Sequence, residues 1–319
     1  MTGPTTKDNS LAIPSSHDLK RWLIFGGWVG LSILLFAKTV YGLVQLASQD
    51  ESSSHILLIP FISAWLLYAE QKVRQPGGSF DLWPAMAFLL STIFLALLAS
   101  HCPTCTHRDR LSIFALALVL LLISGFVLIL GTANAKASGF SLAFLLFAIP
   151  IPDVFLGKII YALQSGSAAI AELFFNLSGA PVLREGFVFH LPKMSIEVAQ
   201  ECSGIRSSLA LLILALLVAH FSFRPFWKKL LFVFAGLSMM LIKNGIRIAS
   251  LTLLANYVNP NFLYGKLHHQ GGIVFFLIGL ALLWPVFWFL RRGEIPVGGV
   301  VSGEPGKIIP RKSELPGDL

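Results

Sequence analysis

An all-α polytopic membrane protein is the fold class this sequence predicts, on three observations. The first is composition. Of 319 residues, 55% are hydrophobic and only 13% charged, with a mean hydropathy of +0.76, which leaves too little polar surface for a soluble domain of this length. The second is that the apolar residues come in runs comparable to a bilayer thickness, parted by short polar or proline-containing stretches. The third is that Lys and Arg gather in alternate connecting segments, as topology signals do. The formal net charge of +8 therefore reads as a positive-inside bias. No RNA- or DNA-binding motif is visible, so membrane lipid, not nucleic acid, is the expected surrounding. Three cysteines are too few for a disulfide framework. No signal-peptide cleavage site stands out, so the first apolar run is expected to stay as an anchor.

Residues 1–19 read as a polar cytoplasmic tail, 20–292 as one transmembrane domain, and 293–319, rich in Gly, Pro and charge, as a disordered cytoplasmic tail. The expected architecture is about eight transmembrane helices plus an outer-face interfacial helix and a short β-hairpin before the sixth span. Span one follows Lys20-Arg21 and covers roughly Trp22 to Ala47, with Lys38 obliged to snorkel, pair or face a cavity. Span two, Ile56 to Ala69, follows the acidic, Ser-rich segment Asp50 to His55, and span three is about Leu82 to Ser100. The loop His101-Cys102-Pro103-Thr104-Cys105-Thr106-His107 leads to span four, Leu111 to Leu130. Span five begins near Phe140 and ends where Pro150 and Pro152 break the helix. Residues 154–177 carry Lys158, Gln164 and Glu172 among Ser, Gly and Ala, too polar for a span, and read as interfacial. Val182 to Val198 is rich in β-branched and aromatic residues on either side of Pro192-Lys193, which reads as a β-hairpin. Spans six, seven and eight run from Cys202 to about Phe221, Lys229 to about Ile248, and Gly271 to Leu290.

With the N-terminus inside, fourteen of the 24 Lys and Arg fall in cytoplasmic segments, among them Lys72, Arg74, Arg224, Lys228, Lys229, Arg291 and Arg292, and six fall outside. Both termini are then cytoplasmic. Letting residues 154–177 span would put Arg224, Lys228, Lys229, Arg291 and Arg292 outside. This cost is the reason to read that helix as interfacial.

In this topology three reactive groups reach the outer face from consecutive spans. Cys202 opens span six, where a helix start lowers a thiol's pKa toward the nucleophilic thiolate, and Arg206, four residues on, would share its face. Arg247 lies eighteen residues into span seven, about 27 Å along a helix and so close to one hydrocarbon thickness. His268 and His269 precede span eight. A thiolate nucleophile, a proton-shuttling imidazole and a fixed cation for an oxyanion are the parts of acyl transfer. Taken singly, each residue has a plainer reading: a buried inert thiol, an interfacial anchor and loop histidines.

The same residues resemble the exosortase/archaeosortase family of membrane-embedded cysteine transpeptidases, over about Ser54 to Phe276. The likeness rests on Ser54-His55 with Pro60, on Ala143 to Pro152, and on Gly179-Ala180-Pro181-Val182. It rests further on Val198-Ala199-Gln200-Glu201-Cys202-Ser203-Gly204-Ile205-Arg206-Ser207, on Asn244-Gly245-Ile246-Arg247-Ile248, and on His268 with Gly272 and Phe276. Where the family often has an aromatic residue after the glycine matched by Gly272, this chain has Ile273. The resemblance implies a catalytic set of Cys202, Arg247 and His268, with His269 an alternative to His268, and with Arg206, Asn244 and His55 in supporting or substrate-binding places. It implies cleavage of exported proteins that carry a C-terminal signal: a Pro-Glu-Pro-type motif, a transmembrane helix and a basic cluster. The site is the outer face of a bacterial inner membrane, the route is a thioester, and no metal or organic cofactor is called for.

Two other classes compete. Cys102 and Cys105 could serve a membrane thiol-disulfide oxidoreductase, form a local disulfide, or join His101 and His107 around a metal. Lys38 and Lys243, charged within spans, would suit a transporter, but no inverted repeat accompanies them. Substrate, acceptor and oligomeric state are not legible.

Overall fold

The computed structural model describes residues 16–70, 81–199, 204–264 and 272–292; the expected tails lie outside them except for Ser16 to Leu19, which open the first helix. The first apolar run folds as two helices, α1 (Ser16–Leu35) and α2 (Ala37–Gln49), bent by 76° about Phe36, with Lys38 exposed at the bend. A 3-10 turn at Glu51–Ser53 precedes α3 (Ile59–Ala69). Helices α4 (Leu82–His101) and α5 (His107–Leu130) form an antiparallel pair, in which Ser124 Oγ donates to the Ala85 carbonyl (2.8 Å) and Thr92 Oγ1 to that of Ala117 (3.3 Å). Thr106 and Asp109 start α5 with a reciprocal capping box. Short α6 (Thr132–Ala137) and α7 (Gly139–Phe144), prolonged by a 3-10 turn over Leu145–Ala148, end at the two prolines. Then come α8 (Asp153–Leu177), strands β1 (Leu183–Glu185), β2 (Val188–His190) and β3 (Ser195–Glu197), and helices α9 (Ile205–Ser222), α10 (Phe226–Tyr257), α11 (Asn261–Tyr264) and α12 (Gly272–Arg291).

Six of these helices, α4, α5, α8, α9, α10 and α12, are long and apolar enough to cross a membrane, and the bent α1–α2 pair makes a seventh. The contacts sort the helix ends into two sets. At one end, Asp50 after α2 and Asp153 at the start of α8 both pair with Arg108 at the start of α5 (2.8 and 3.0 Å). At the other, Glu70 after α3 accepts from Ser141 of α7 (2.6 Å) and pairs with His220 near the end of α9 (3.3 Å). There too Asp81 before α4 accepts from the Thr132 backbone (2.7 Å), and Lys228 near the start of α10 donates to the Leu290 carbonyl near the end of α12 (3.0 Å). Sorted this way, α1–α2, α3, α4, α5, α6–α7, α9, α10 and α12 each join one end to the other. Of the eight expected spans, α4, α5, α9, α10, α12 and the bent α1–α2 pair have the length and composition to cross, whereas α3 and the α7 segment are shorter apolar helices.

Helix α8 meets the length and composition of a span, contrary to the sequence reading of it as too polar. It begins on Arg108, and further along its Ser167 and Phe175 lie against Asn244, Ile248 and Ala249, far from the Lys228 end of α10. Its contacts run alongside α10 from Leu241 to Ala249, so the expectation of an interfacial helix gives way to a helix of spanning length packed on α10. The expected hairpin about Pro192-Lys193 is β2–β3, and a third strand, β1, joins it antiparallel through a turn at Gly186 (φ +63°). Phe189, fully buried, sits opposite both Arg184 and Ile196 and packs on Phe175 of α8 with ring centres 5.2 Å apart. The sheet is thus fixed to α8 and the distal third of α10.

Candidate active site

Of the expected catalytic set, Arg247 lies in the described structure; Cys202, His268 and His269 lie outside the described residues. What is described is the frame on either side of them. Ahead of the Cys202 motif, Val198 is buried beside the sheet. Its amide donates to the Phe187 carbonyl (2.9 Å), and its own carbonyl accepts from Gln164 of α8. After the motif, Gly204 adopts the left-handed conformation (φ +70°, ψ +23°) as the residue preceding α9. A Cβ there would stand 2.8 Å from Asn244 Oδ1. Residues 200–203 thus connect two anchors, one on α8 and the sheet, the other on α10.

The break at Gly204 corrects one expectation. Helix α9 starts at Ile205, where the expected start was Cys202, because Gly204 is left-handed and interrupts helical backbone. Arg206 itself is exposed in the first turn of α9.

Three helices meet below this turn. α9, α10 and α12 share a core of Leu211, Ala215, Ala219, Phe223, Phe232, Met240, Leu283 and Leu290. Within it Lys243, only 2% exposed, donates to Ser207 Oγ (2.5 Å), and Ser207 Oγ in turn donates to the Gly204 carbonyl (3.1 Å). The stem of Lys243 passes Gly279 of α12, where an added Cβ would come within 3.3 Å of Lys243 Cδ. Asn244, 1% exposed, donates to Ser167 Oγ of α8 (3.0 Å). Arg247, one turn further along α10, is half-buried. Close approach of α8 and α10 is permitted by Gly245, where a Cβ would lie 2.3 Å from Ile170 Cγ2. The polar line Lys243–Asn244–Arg247 on α10 therefore faces the start of α9 on one side and α8 on the other. Of its members, Asn244 and Arg247 were legible as site candidates. Lys243 was legible only as a charge inside a span, and the pairing of Gln164 and Ser167 with this region only as a polar, small-residue face on the helix over 154–177.

His55, the remaining supporting candidate, lies just after the 3-10 turn that packs on α9. Its ring is hydrogen-bonded to the backbone of Phe147 and Ser52, and burial pushes its pKa below the ordinary histidine value. It ties the start of span two to the end of α7, a structural duty. Beside it, burial works to raise the Asp50 carboxyl, but hydrogen bonds from Ser52, Arg108 and Ser53 outweigh that and hold its pKa at about 2. Cys102 and Cys105 are joined in a disulfide, so neither thiolate is available to ligate a metal. Among the described residues no cluster of three or more His, Cys, Asp or Glu could hold a metal ion.

A family model described as transmembrane exosortase matches residues 43–285, a stretch that runs from within α2 to within α12 and includes the Cys202 motif and both histidines. No curated protein and no solved structure matches the chain.

Proposed function

The chain belongs to the transmembrane exosortase family, and on that premise we propose that this multi-pass membrane protein is a cysteine transpeptidase. It cleaves C-terminal sorting signals of exported proteins at the outer face of the bacterial inner membrane. The observation that carries the reading is the packing of α9, α10 and α12 into one bundle. Arg247 lies on α10 of that bundle, and in the sequence Cys202 and His268 shortly precede α9 and α12.

In this reading the Cys202 thiolate attacks the scissile carbonyl carbon, forming a C–S bond and an oxyanion that Arg247 holds. Collapse breaks the C–N bond, His268 gives its proton to the leaving amine, and a thioester remains. An acceptor nucleophile, deprotonated by His268, then takes the acyl group and restores the thiolate. The substrates are exported proteins ending in a Pro-Glu-Pro-type motif, a transmembrane helix and a basic cluster. Their helix lies beside the bundle with its basic end inside, and the reaction calls on no metal or organic cofactor.

The test is gel mobility of a tagged substrate of this design in membranes holding each variant, with enzyme abundance checked in parallel. Cys202→Ala and Cys202→Ser are expected to leave the substrate full length, since serine lacks a low-pKa nucleophile. Arg247→Lys keeps the charge but loses the planar fork and is expected to be severely impaired. His268→Ala is expected to abolish processing and His269→Ala to spare most of it; the reverse result would transfer the role one residue along. Normal processing by Cys202→Ala would overturn the thioester route. Loss of processing in Cys102→Ser and Cys105→Ser, with Cys202→Ala active, would establish the thiol-disulfide oxidoreductase reading instead.

A further inference from the structure

Cys102 and Cys105 form a disulfide that the reaction as proposed does not use. Their separation in sequence is 3. A disulfide constrains the unfolded chain more the longer the loop it closes, so this one adds little to the fold as a whole. Pairing α4 with α5 does not depend on it either, because Thr92 and Ser124 already hydrogen-bond across the two helices. What it fixes is the ends of those helices. Cys102 follows α4, and its carbonyl accepts from Arg110 of α5 (3.1 Å). Cys105 immediately precedes Thr106, the residue that caps α5.

Thr106 also reaches a third helix. Its hydroxyl accepts from the Asp109 amide (3.0 Å) and donates to Asp153 Oδ2 at the start of α8 (2.7 Å). Asp109 Oδ1 accepts from the Asp153 amide (2.9 Å), and Arg108 pairs with the Asp153 carboxylate (3.0 Å). The first residue of α8 is thus held by three side chains of the turn that follows Cys105. Both cysteines are partly exposed, and Pro103 and Thr104 between them are exposed, so a sulfur nucleophile has access to the bond. In the proposed orientation this loop lies on the outer, oxidising side, where a disulfide persists until a thiol attacks it. We propose that Cys102–Cys105 is a site of thiol–disulfide exchange with a dithiol, and that its redox state sets the hold of α5 on α8. One thiolate of the dithiol attacks a sulfur of the Cys102–Cys105 bond, forming a mixed disulfide and releasing the other cysteine as a thiolate. The dithiol's second thiolate then displaces the remaining cysteine. The dithiol leaves as its own disulfide, and two electrons and two protons end on Cys102 and Cys105. With the bond open, Thr106 loses its fixed place and the start of α8 loosens. Gln164 and Ser167 of α8 hold Val198 and Asn244, so reduction slows substrate processing. This last effect rests on the transpeptidase reading.

The experiment uses the full-length protein in detergent, with dithiothreitol as the dithiol. Iodoacetamide and mass spectrometry are expected to find Cys102 and Cys105 unmodified in the untreated protein and both modified after dithiothreitol acts on the folded one. The amides of Asp153, Phe155 and Leu156 are hydrogen-bonded, and their hydrogen exchange is expected to quicken several-fold on reduction while the middle of α5 keeps its rate. The double variant Cys102→Ser with Cys105→Ser should show the faster exchange without reductant, ignore dithiothreitol, and process the tagged substrate several-fold more slowly with Cys202 intact. Thr106→Val keeps the disulfide but removes the hydroxyl, and should quicken the same exchange, with reduction adding little. Cysteines that react only after the protein is unfolded would overturn the exchange site. Exchange at the start of α8 that ignores reduction would overturn the hold on α8, and additive effects of reduction and Thr106→Val would overturn the route through Thr106. Full processing by the double variant would overturn the effect on catalysis. If Cys202→Ala still processes substrate, the transpeptidase reading fails while labelling and hydrogen exchange still judge the disulfide, so the two failures are distinguishable.

Discussion

Gly204 carries two constraints at once. Its φ of +70° costs a side-chain-bearing residue about 1–2 kcal/mol, and a Cβ would press on Asn244 Oδ1 at 2.8 Å. Gly204→Ala is therefore expected to lower the midpoint of thermal unfolding in detergent. With Cys202 as the proposed nucleophile, it should also reduce substrate processing by more than the loss of folded protein explains, because residues 200–203 join this turn in the sequence. Wild-type processing by this variant would show that the turn does not position the nucleophile. At the same scale, His55 offers a test with a definite sign. Its pKa in the folded protein is depressed below 6.5 by burial, so below pH 6.5 the unfolded chain binds a proton that the folded chain resists. Its neutral, buried state thus contributes fully above pH 6.5, and stability falls as the pH drops below that value until the folded pKa is passed. Thermal unfolding of wild type and His55→Gln between pH 7.5 and 5 should show the wild type losing more stability on acidification. Parallel pH profiles would mean that His55 does not titrate differently in the two states.

Elements of this protein are held together by small residues where helices meet and by charges where they end. On the α8–α10 contact, Gly245 leaves no room for a side chain, with Ile170 Cγ2 at 2.3 Å and the Ala171 amide nitrogen at 3.2 Å from a built Cβ. Gly245→Val is expected to cost about 1–3 kcal/mol by overpacking and to separate α8 from the helix that carries Arg247. Ile170→Ala should restore part of the loss in the double variant, because it opens the space that the new side chain needs. The readouts are unfolding in detergent and processing, and failure of Ile170→Ala to restore either would show that the clash lies elsewhere. The helix ends at Arg108 work differently. One guanidinium holds Asp50 and Asp153 and hydrogen-bonds Ser53 Oγ (3.4 Å), so α2, α5 and α8 are gathered at one point.

For the whole molecule, the two sets of helix ends follow from contacts alone, and the proposed function adds which set faces outward. If the active site lies outside and both termini inside, single cysteines placed at Leu183 and Pro192, both exposed, should react with a membrane-impermeant maleimide applied to intact cells. The background is a chain whose three native cysteines are replaced. Cysteines placed at Phe226 and Arg292, also exposed, should react only after the membrane is opened. Labelling of Phe226→Cys in intact cells would invert the bundle and move the proposed site to the other face.

Hydropathy is a property of consecutive residues, so the sequence by itself determined the helical membrane class, most of the membrane-spanning helices, and the hairpin about Pro192-Lys193. It also carried the family, because Cys202 to Ser207 and Asn244 to Arg247 are contiguous motifs. The bend of 76° at Phe36 had no proline to announce it. The third strand was missed because it pairs with β2 through a turn at one left-handed glycine. The end of α9 at Gly204, in place of an expected helix start at Cys202, depends on φ at a residue whose neighbours would all tolerate helix. Lys243 reaches Ser207, Asn244 reaches Ser167, and Gln164 reaches Val198 across gaps of dozens of residues. Those partners were decided only by tertiary structure. A helix's own sequence fixes which side is polar, but which other helix that side meets depends on the packing of all of them together.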